Sequence, residues 1–276
     1  MSDIEPKAED SSIVEIKAAL ARTSVSTKRK VVEKFILAAL SSIPWVGGFI
    51  SAAASLKVDQ RNTEKDSLQS KWLEEHAKKM GSLAGTLGTV VDRLDSLGAT
   101  VDDRIQSEEY LGLVRSAFRT WDRAETDDKR RYAANLISNA AGTRLCTDDV
   151  VRLFIDWLDQ YHEIHFAVMR EIFQNPGSTR YEIWDAIYGA PTRDDSAEAD
   201  LYRLLVRDLS TGGVIRQERE TTGDGRFVRR RPVKNRKVSS STMESAFEDS
   251  KPYVLTELGK QFVHYTMNEV VQRLSA

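Results

Sequence analysis

Four histidines and one cysteine are the residues of this chain best suited to catalysis or metal binding. His162-Glu163-Ile164-His165 sets two imidazoles three positions apart, which can share a helix face. A zinc-protease helix needs its histidines four apart with the glutamate following the first, and no third ligand accompanies this pair. His76 and His264 stand alone. Cys146 lies beside Thr147 at a helix start, where a thiolate would be stabilised, but no histidine is linked to it by sequence. It is expected to be a small buried residue. A single thiol makes no intrachain disulfide, which suits a reducing compartment. Gly223-Asp224-Gly225 has the form of a hairpin turn rather than of a phosphate-binding loop. The sequence therefore predicts no catalytic residue, no metal and no cofactor: a non-enzymatic protein.

The chemistry that does stand out is cationic. The run "RFVRRRPVKNRK" carries Arg226, Arg229, Arg230, Arg231, Lys234, Arg236 and Lys237 and no acid. Such a cluster is built to meet phosphates. With a net charge of −2, the whole chain has no general attraction to polyanions, so any such attraction must be local. Arg203 and Arg207, one helical turn apart, and Arg216 extend the candidate nucleic-acid-binding set.

These residues need elements to hold them. Only six prolines and a dominance of helix formers predict a mainly α fold with a small β element. Residues 1–12, acidic and polar, are expected to be a disordered tail without the features of a secretory signal. A helix is expected over about 13–22. Residues 13–106 are read as a helical hairpin plus a coiled-coil-like oligomerisation region, 107–160 as a helical connector, and 161–276 as a C-terminal domain.

Within the first region, "FILAALSSIPWVGGFISAAASL", residues 35–56, carries no charge. A bilayer-spanning helix takes about 20 apolar residues, so three readings are open: a span, a hairpin that inserts on demand, or two core helices. Pro44 cannot sit in a helix interior without losing a hydrogen bond, and Gly47-Gly48 loosens the backbone. Two short helices are predicted, about 28–42 and 46–58, around a Pro-Trp-Val-Gly-Gly turn. Phe35, Ile36, Leu40, Ile43, Trp45, Val46, Phe49 and Ile50 would form the membrane hairpin under the second reading. Lys28, Arg29, Lys30 and Lys34 would then face anionic headgroups.

Leu73, His76, Met80, Leu83, Leu87, Val90, Leu94, Leu97 and Val101 recur in steps of three and four. That is a heptad seam on one long helix, and the apolar members are the candidate oligomerisation residues. Gly81, Ala84, Gly85 and Gly88 beside it suggest close approach of a second helix.

From residue 107 the punctuation is dense. Ser107 is placed to cap a helix carrying Tyr110, Leu111, Val114, Ala117, Phe118 and Trp121. Thr126 caps a second helix closed by Gly142, and Thr147 or Asp148 caps a third. "HEIHFAVMREIF" is helical. Thr179-Arg180-Tyr181-Glu182 is a capping box. A helix over about 196–210 turns Leu201, Leu204, Leu205 and Leu209 inward and is closed by Gly212-Gly213. "VIRQERE" and "RFVRRRPV" read as a β-hairpin around Gly223-Asp224-Gly225. "NRKVSSSTMESAFEDS" is expected to be mobile, and Thr256 caps a closing helix.

Three helices, a hairpin and a closing helix resemble a winged helix-turn-helix. The ending Tyr253-Val254-Leu255-Thr256-Glu257-Leu258-Gly259 resembles the "Y-x-L-T-x-x-G" phrase that closes many such domains. The stretch "ETDDKRRYAANLISNA" with "DDVVRLFIDWLDQYHEIHFAVMREIF" more weakly resembles uncharacterised bacterial abortive-infection proteins. The first resemblance implies a basic wing on nucleic acid, DNA before RNA. Base reading by the recognition helix is disfavoured, because Asp194, Asp195, Glu198 and Asp200 crowd its start.

The expected function is a cytoplasmic bacterial or phage-related protein that self-associates through N-terminal helices and binds nucleic acid through the wing. One alternative is an antiphage defence effector, peripheral to the inner membrane, whose apolar hairpin attacks that membrane. Another is a protein-interaction scaffold.

Overall fold

The computed structural model describes residues 27–56, 67–143, 145–219, 221–224, 226–228 and 244–267. The chain is mainly helical with one small two-stranded antiparallel sheet, and it divides into two compact units. The first comprises residues 1–160 and 265–276, the second residues 161–264. The helix expected over 13–22, the tail and residues 229–243 lie outside the described residues.

The first unit opens with α1 (Thr27–Ser41) and α2 (Pro44–Leu56), bent by 96°. The first helix ends one residue earlier and the second starts two residues earlier than the sequence suggested. Pro44 is the first residue of α2, where a missing N–H costs nothing and a fixed φ helps. The turn is therefore Ser42-Ile43, whose amides bond Ala39 and Leu40 carbonyls at 3.2 and 3.3 Å. Gly47 and Gly48 are ordinary residues inside α2 rather than part of the turn.

Helix α3 (Ser67–Ser96) is long, but it stops before the end of the heptad pattern. Gly98, at φ 74°, breaks it, and a 3₁₀ turn over Ala99–Val101 leads into α4 (Asp102–Gln106). α5 (Glu108–Arg123) and α6 (Asp127–Gly142) are capped by Ser107 and Thr126, whose hydroxyls accept from Tyr110 N and Lys129 N. α7 is Asp148–Gln160.

Helix α6 is the centre of this unit. Every residue from Tyr132 to Gly142 is buried, so it is apolar all round apart from groups that find partners. α3 and α5 pack on it, and α1 packs on α5. Met80, Leu83, Leu87, Val90 and Leu94 are all buried within this single chain. The heptad spacing is thus satisfied intramolecularly, which replaces the expected intermolecular seam. Gly85 and Gly88 meet nothing within 4 Å of where a Cβ would stand, so they mark no close approach. The close approach is at Gly142 instead, where a Cβ would lie 2.9 Å from Leu97 Cδ1.

Polar groups on α6 are paired. Asn135 Nδ2 donates to Thr266 O at 2.8 Å and Asn139 Nδ2 to Tyr265 O at 3.0 Å. Arg93 donates to Asn135 Oδ1.

The second unit contains α8 (Glu163–Gln174), α9 (Arg180–Tyr188), α10 (Ala197–Thr211), β1 (Ile215–Gln217), β2 (Tyr253–Leu255) and α11 (Glu257–Thr266), whose last two residues count with the first unit. Thr179 and Glu182 form the capping box of α9. The inward face of α10 is Ala199, Tyr202, Leu205, Val206 and Leu209. Leu201 and Leu204 were expected inward but lie on the exposed side, since only the three-four row through Tyr202 and Leu209 faces the core.

The sheet also differs from expectation. β1 pairs with β2 in the register Ile215–Leu255, Arg216–Val254, Gln217–Tyr253, and most of the run after Gly225 lies outside the described residues. Thr221 and Phe227 meet in a single isolated bridge. The end of the segment expected to be mobile is packed: Phe247 lies against Trp184 and Tyr202, and Ala246 is buried.

The closing phrase has a physical explanation. Thr256 Oγ1 donates to Gly213 O at 2.6 Å and accepts from Gly259 N at 2.9 Å, capping α11. At Gly259 a Cβ would lie 2.2 Å from Val214 O, so the helix start sits directly on the backbone before β1.

Candidate nucleic-acid interface

A groove of about 810 Å³ lies in the second unit, along α10 from Asp200 to Thr211 and the chain that follows it. Arg180, Arg203, Arg207, Arg216 and Arg219 line it, together with Leu204, Gln217, Phe227 and Tyr253. Two acids share the lining, Asp200 and Glu244. Each is already ion-paired, Asp200 with Arg203 at 2.8 Å and Glu244 with Lys251. The remaining arginines give the groove a net positive field, and its concave walls concentrate it.

Each arginine is held differently. Arg180, first residue of α9, donates through Nε and Nη2 to Tyr253 Oη at 3.0 and 2.8 Å. Its carbonyl accepts from Tyr202 Oη at 2.8 Å, and burial pushes that phenol well above its usual range, so it stays a donor. The capping box and β2 thus fix Arg180, and no carboxylate among the described residues pairs with it. Arg216, on β1, stacks its guanidinium 5.0 Å from the Phe227 ring centroid. Its Nη1 has no hydrogen-bond partner among the described residues. Arg207 is open, 72% exposed in its side chain, with its Nε 4.0 Å from Asp208.

Arg203 is the least available. It bonds Asp194 at 3.0 Å and Asp200 at 2.8 Å. Asp194 also accepts from Ser245 Oγ at 3.0 Å and Ala246 N at 2.9 Å. This carboxylate was read as a repulsive charge at the start of the recognition helix. It is instead a tie between α10 and the returning chain. Asp195 is paired with Arg193.

Of the basic run, Arg226 is exposed and pairs with Asp224 at 3.2 Å. Arg229, Arg230, Arg231, Lys234, Arg236 and Lys237 lie outside the described residues. Arg180 and Arg219 were absent from the sequence-based set. Arg180 was legible as the residue after the capping Thr179, but nothing in the sequence showed that Tyr253 would return beside it.

Comparison with protein-family models, characterised proteins and solved structures finds no match for this chain.

The other candidate residues fall elsewhere. Phe35, Ile36, Ile43, Val46 and Phe49 are buried within the first unit, Leu40 and Trp45 are half-buried, and Ile50 is exposed. Trp45 Nε1 donates to Asp122 Oδ1 at 2.7 Å, and Lys79 pairs with the same carboxylate. Among the described residues no single helix is long and apolar enough to cross a membrane, though α1 and α2 together pass as a bent pair. Cys146 lies in a depression of about 640 Å³, but burial pushes its thiol up, away from a reactive thiolate. His162 N donates to His165 Nδ1 at 3.1 Å, so this pair serves a helix start. Among the described residues no group of three or more His, Cys, Asp or Glu is placed to hold a metal.

Proposed function

We propose that this chain is a non-enzymatic nucleic-acid-binding protein whose second unit acts as a winged helix. In this reading α8, α9 and α10 are the three helices, β1 and β2 bound the wing over residues 218–252, and α11 closes the domain. The arginine-lined groove beside α10 carries the proposal. It gathers cations from α9, α10, β1 and the loop after it, where a strand of phosphates could follow them. Self-association through the heptad face is not part of the reading, because that face is covered within the chain.

The test is salt-dependent binding of labelled oligonucleotides. Neutralising Arg207, Arg216 and Arg219 together should weaken binding on all sequences alike. It should flatten the slope of log K against log salt by up to about 2.7, at about 0.9 per phosphate. An unmodified protein that binds neither DNA nor RNA at low salt would refute the proposal.

A second reading rests on the bent α1–α2 pair, with Leu37 and Ile50 exposed on it. A defence effector would release this pair onto an anionic membrane. Burial of Phe35 and Phe49 opposes that at rest. Dye leakage from anionic liposomes that Phe49→Asp abolishes would promote it over the first.

A further inference from the structure

The geometry points to a single-stranded nucleic acid as the occupant of the groove, its phosphates on Arg207, Arg216 and Arg219 and one base stacked on Phe227. This inference rests on the nucleic-acid reading above and narrows it.

Three observations carry it. First, the cations line a recess rather than crowning a ridge. The depression they line is open to solvent and has a volume of about 810 Å³. A duplex, whose major groove alone is about 12 Å across, has to be met by an element that projects into it. Second, the end of α10 that would enter a major groove is acidic. Asp195 and Glu198 stand there exposed, and Arg193 and Arg203 are spent on Asp195, Asp194 and Asp200. Third, an aromatic ring stands in the wall. Phe227 is 48% exposed and lines the groove, fixed by its bridge to Thr221. Arg216 packs on that ring and is steered by it. A positive groove that tracks the backbone, with an aromatic side chain on which a base can stack, is the arrangement by which single strands are held without strong sequence preference.

The experiment is fluorescence anisotropy with the full chain and labelled oligo-dT, oligo-U and a duplex of the same length. The single strands should bind more tightly than the duplex. Phe227→Leu keeps apolar cover for Arg216 but removes the stacking face, and should cost about 5- to 150-fold on single strands with little change on duplex. Phe227→Trp should restore the loss. Arg207→Ala should weaken every polymer. Oligo-dT and oligo-U compared tell which sugar is preferred.

Equal or tighter binding of duplex, or indifference of single-strand binding to Phe227→Leu, would overturn the inference while leaving nucleic-acid binding intact. Displacement by polyglutamate as effective as by an oligonucleotide would overturn it too, since the groove would then read charge alone. Failure to bind any of the three polymers would overturn both readings together.

Discussion

Replacing Leu87 with alanine tests whether the heptad face of α3 belongs to one chain. Leu87 is 3% exposed and sits between Leu83 and Val90, both fully buried, opposite α6. The helix packed on α3, α6, is buried from Tyr132 to Gly142. A buried Leu→Ala change costs about 2–5 kcal/mol. For a unit of this size each kcal/mol moves the midpoint by about 2–4 °C, giving a fall of about 4–20 °C. The assay is thermal unfolding followed by circular dichroism over about a fiftyfold range of protein concentration. An intramolecular face predicts a drop of the same size at every concentration, and a parent midpoint that does not depend on concentration. A parent midpoint that climbs with concentration, with the climb lost in Leu87→Ala, would refute the internal assignment and return the seam to an intermolecular role.

Trp45→Phe removes the indole donor to Asp122 and should cost about 1.5–3 kcal/mol in urea unfolding, the range for a hydrogen bond to a charged group. An unchanged midpoint would show that Lys79 alone secures that carboxylate. Gly259→Ala forces a methyl onto the Val214 carbonyl, a backbone atom that cannot swing aside. It should destabilise the second unit by about 1–3 kcal/mol or more, and a neutral result would mean that α11 shifts freely. Glu182 accepts from Thr179 N and Oγ1, and these bonds hold its carboxyl below the ordinary 4.5. Because the folded value is depressed, the stabilisation is complete above 4.5 and disappears as pH falls through the folded value. The stability gap between the parent and Glu182→Gln should therefore narrow in acid, and a gap independent of pH would contradict the capping role.

Local signals were legible wherever a few adjacent residues decide the outcome. Ser107, Thr126 and Thr179 cap the helices that their spacing announced, and Tyr110, Val114, Phe118 and Trp121 turn inward together. Such caps act within one turn, so the sequence contains the whole cause. Pro44 was read correctly as an interruption but assigned to the turn, because its tolerance at a helix start was not weighed against its cost inside one. The heptad row on α3 was visible, but periodicity reports only that a face is buried, not whose residues bury it.

Non-local facts were the hidden ones. β1 pairs with a strand that begins at Tyr253, far along the chain. Asp194 looked like a lone repulsive charge because its partners, Ser245 and Ala246, are distant in sequence. The groove itself depends on such returns. Arg180 and Phe227 enter it only because β2 and the Thr221 bridge bring separate segments together.

The Asn135 and Asn139 bonds to the carbonyls of Thr266 and Tyr265 also set an order of events during synthesis. The partners are 131 and 126 residues apart, and the whole second unit is translated between them. At the usual 5–20 residues per second, that interval lasts roughly 6–26 s. Throughout it the two amides on α6, the most deeply buried helix of the first unit, have no carbonyl to meet. The first unit, though begun first, is thus the last to be completed, and the domain encoded in the middle can mature while its host is still open. A chain stalled or cleaved before Tyr265 would keep the inserted domain's sequence almost entire and leave the clasp on α6 empty.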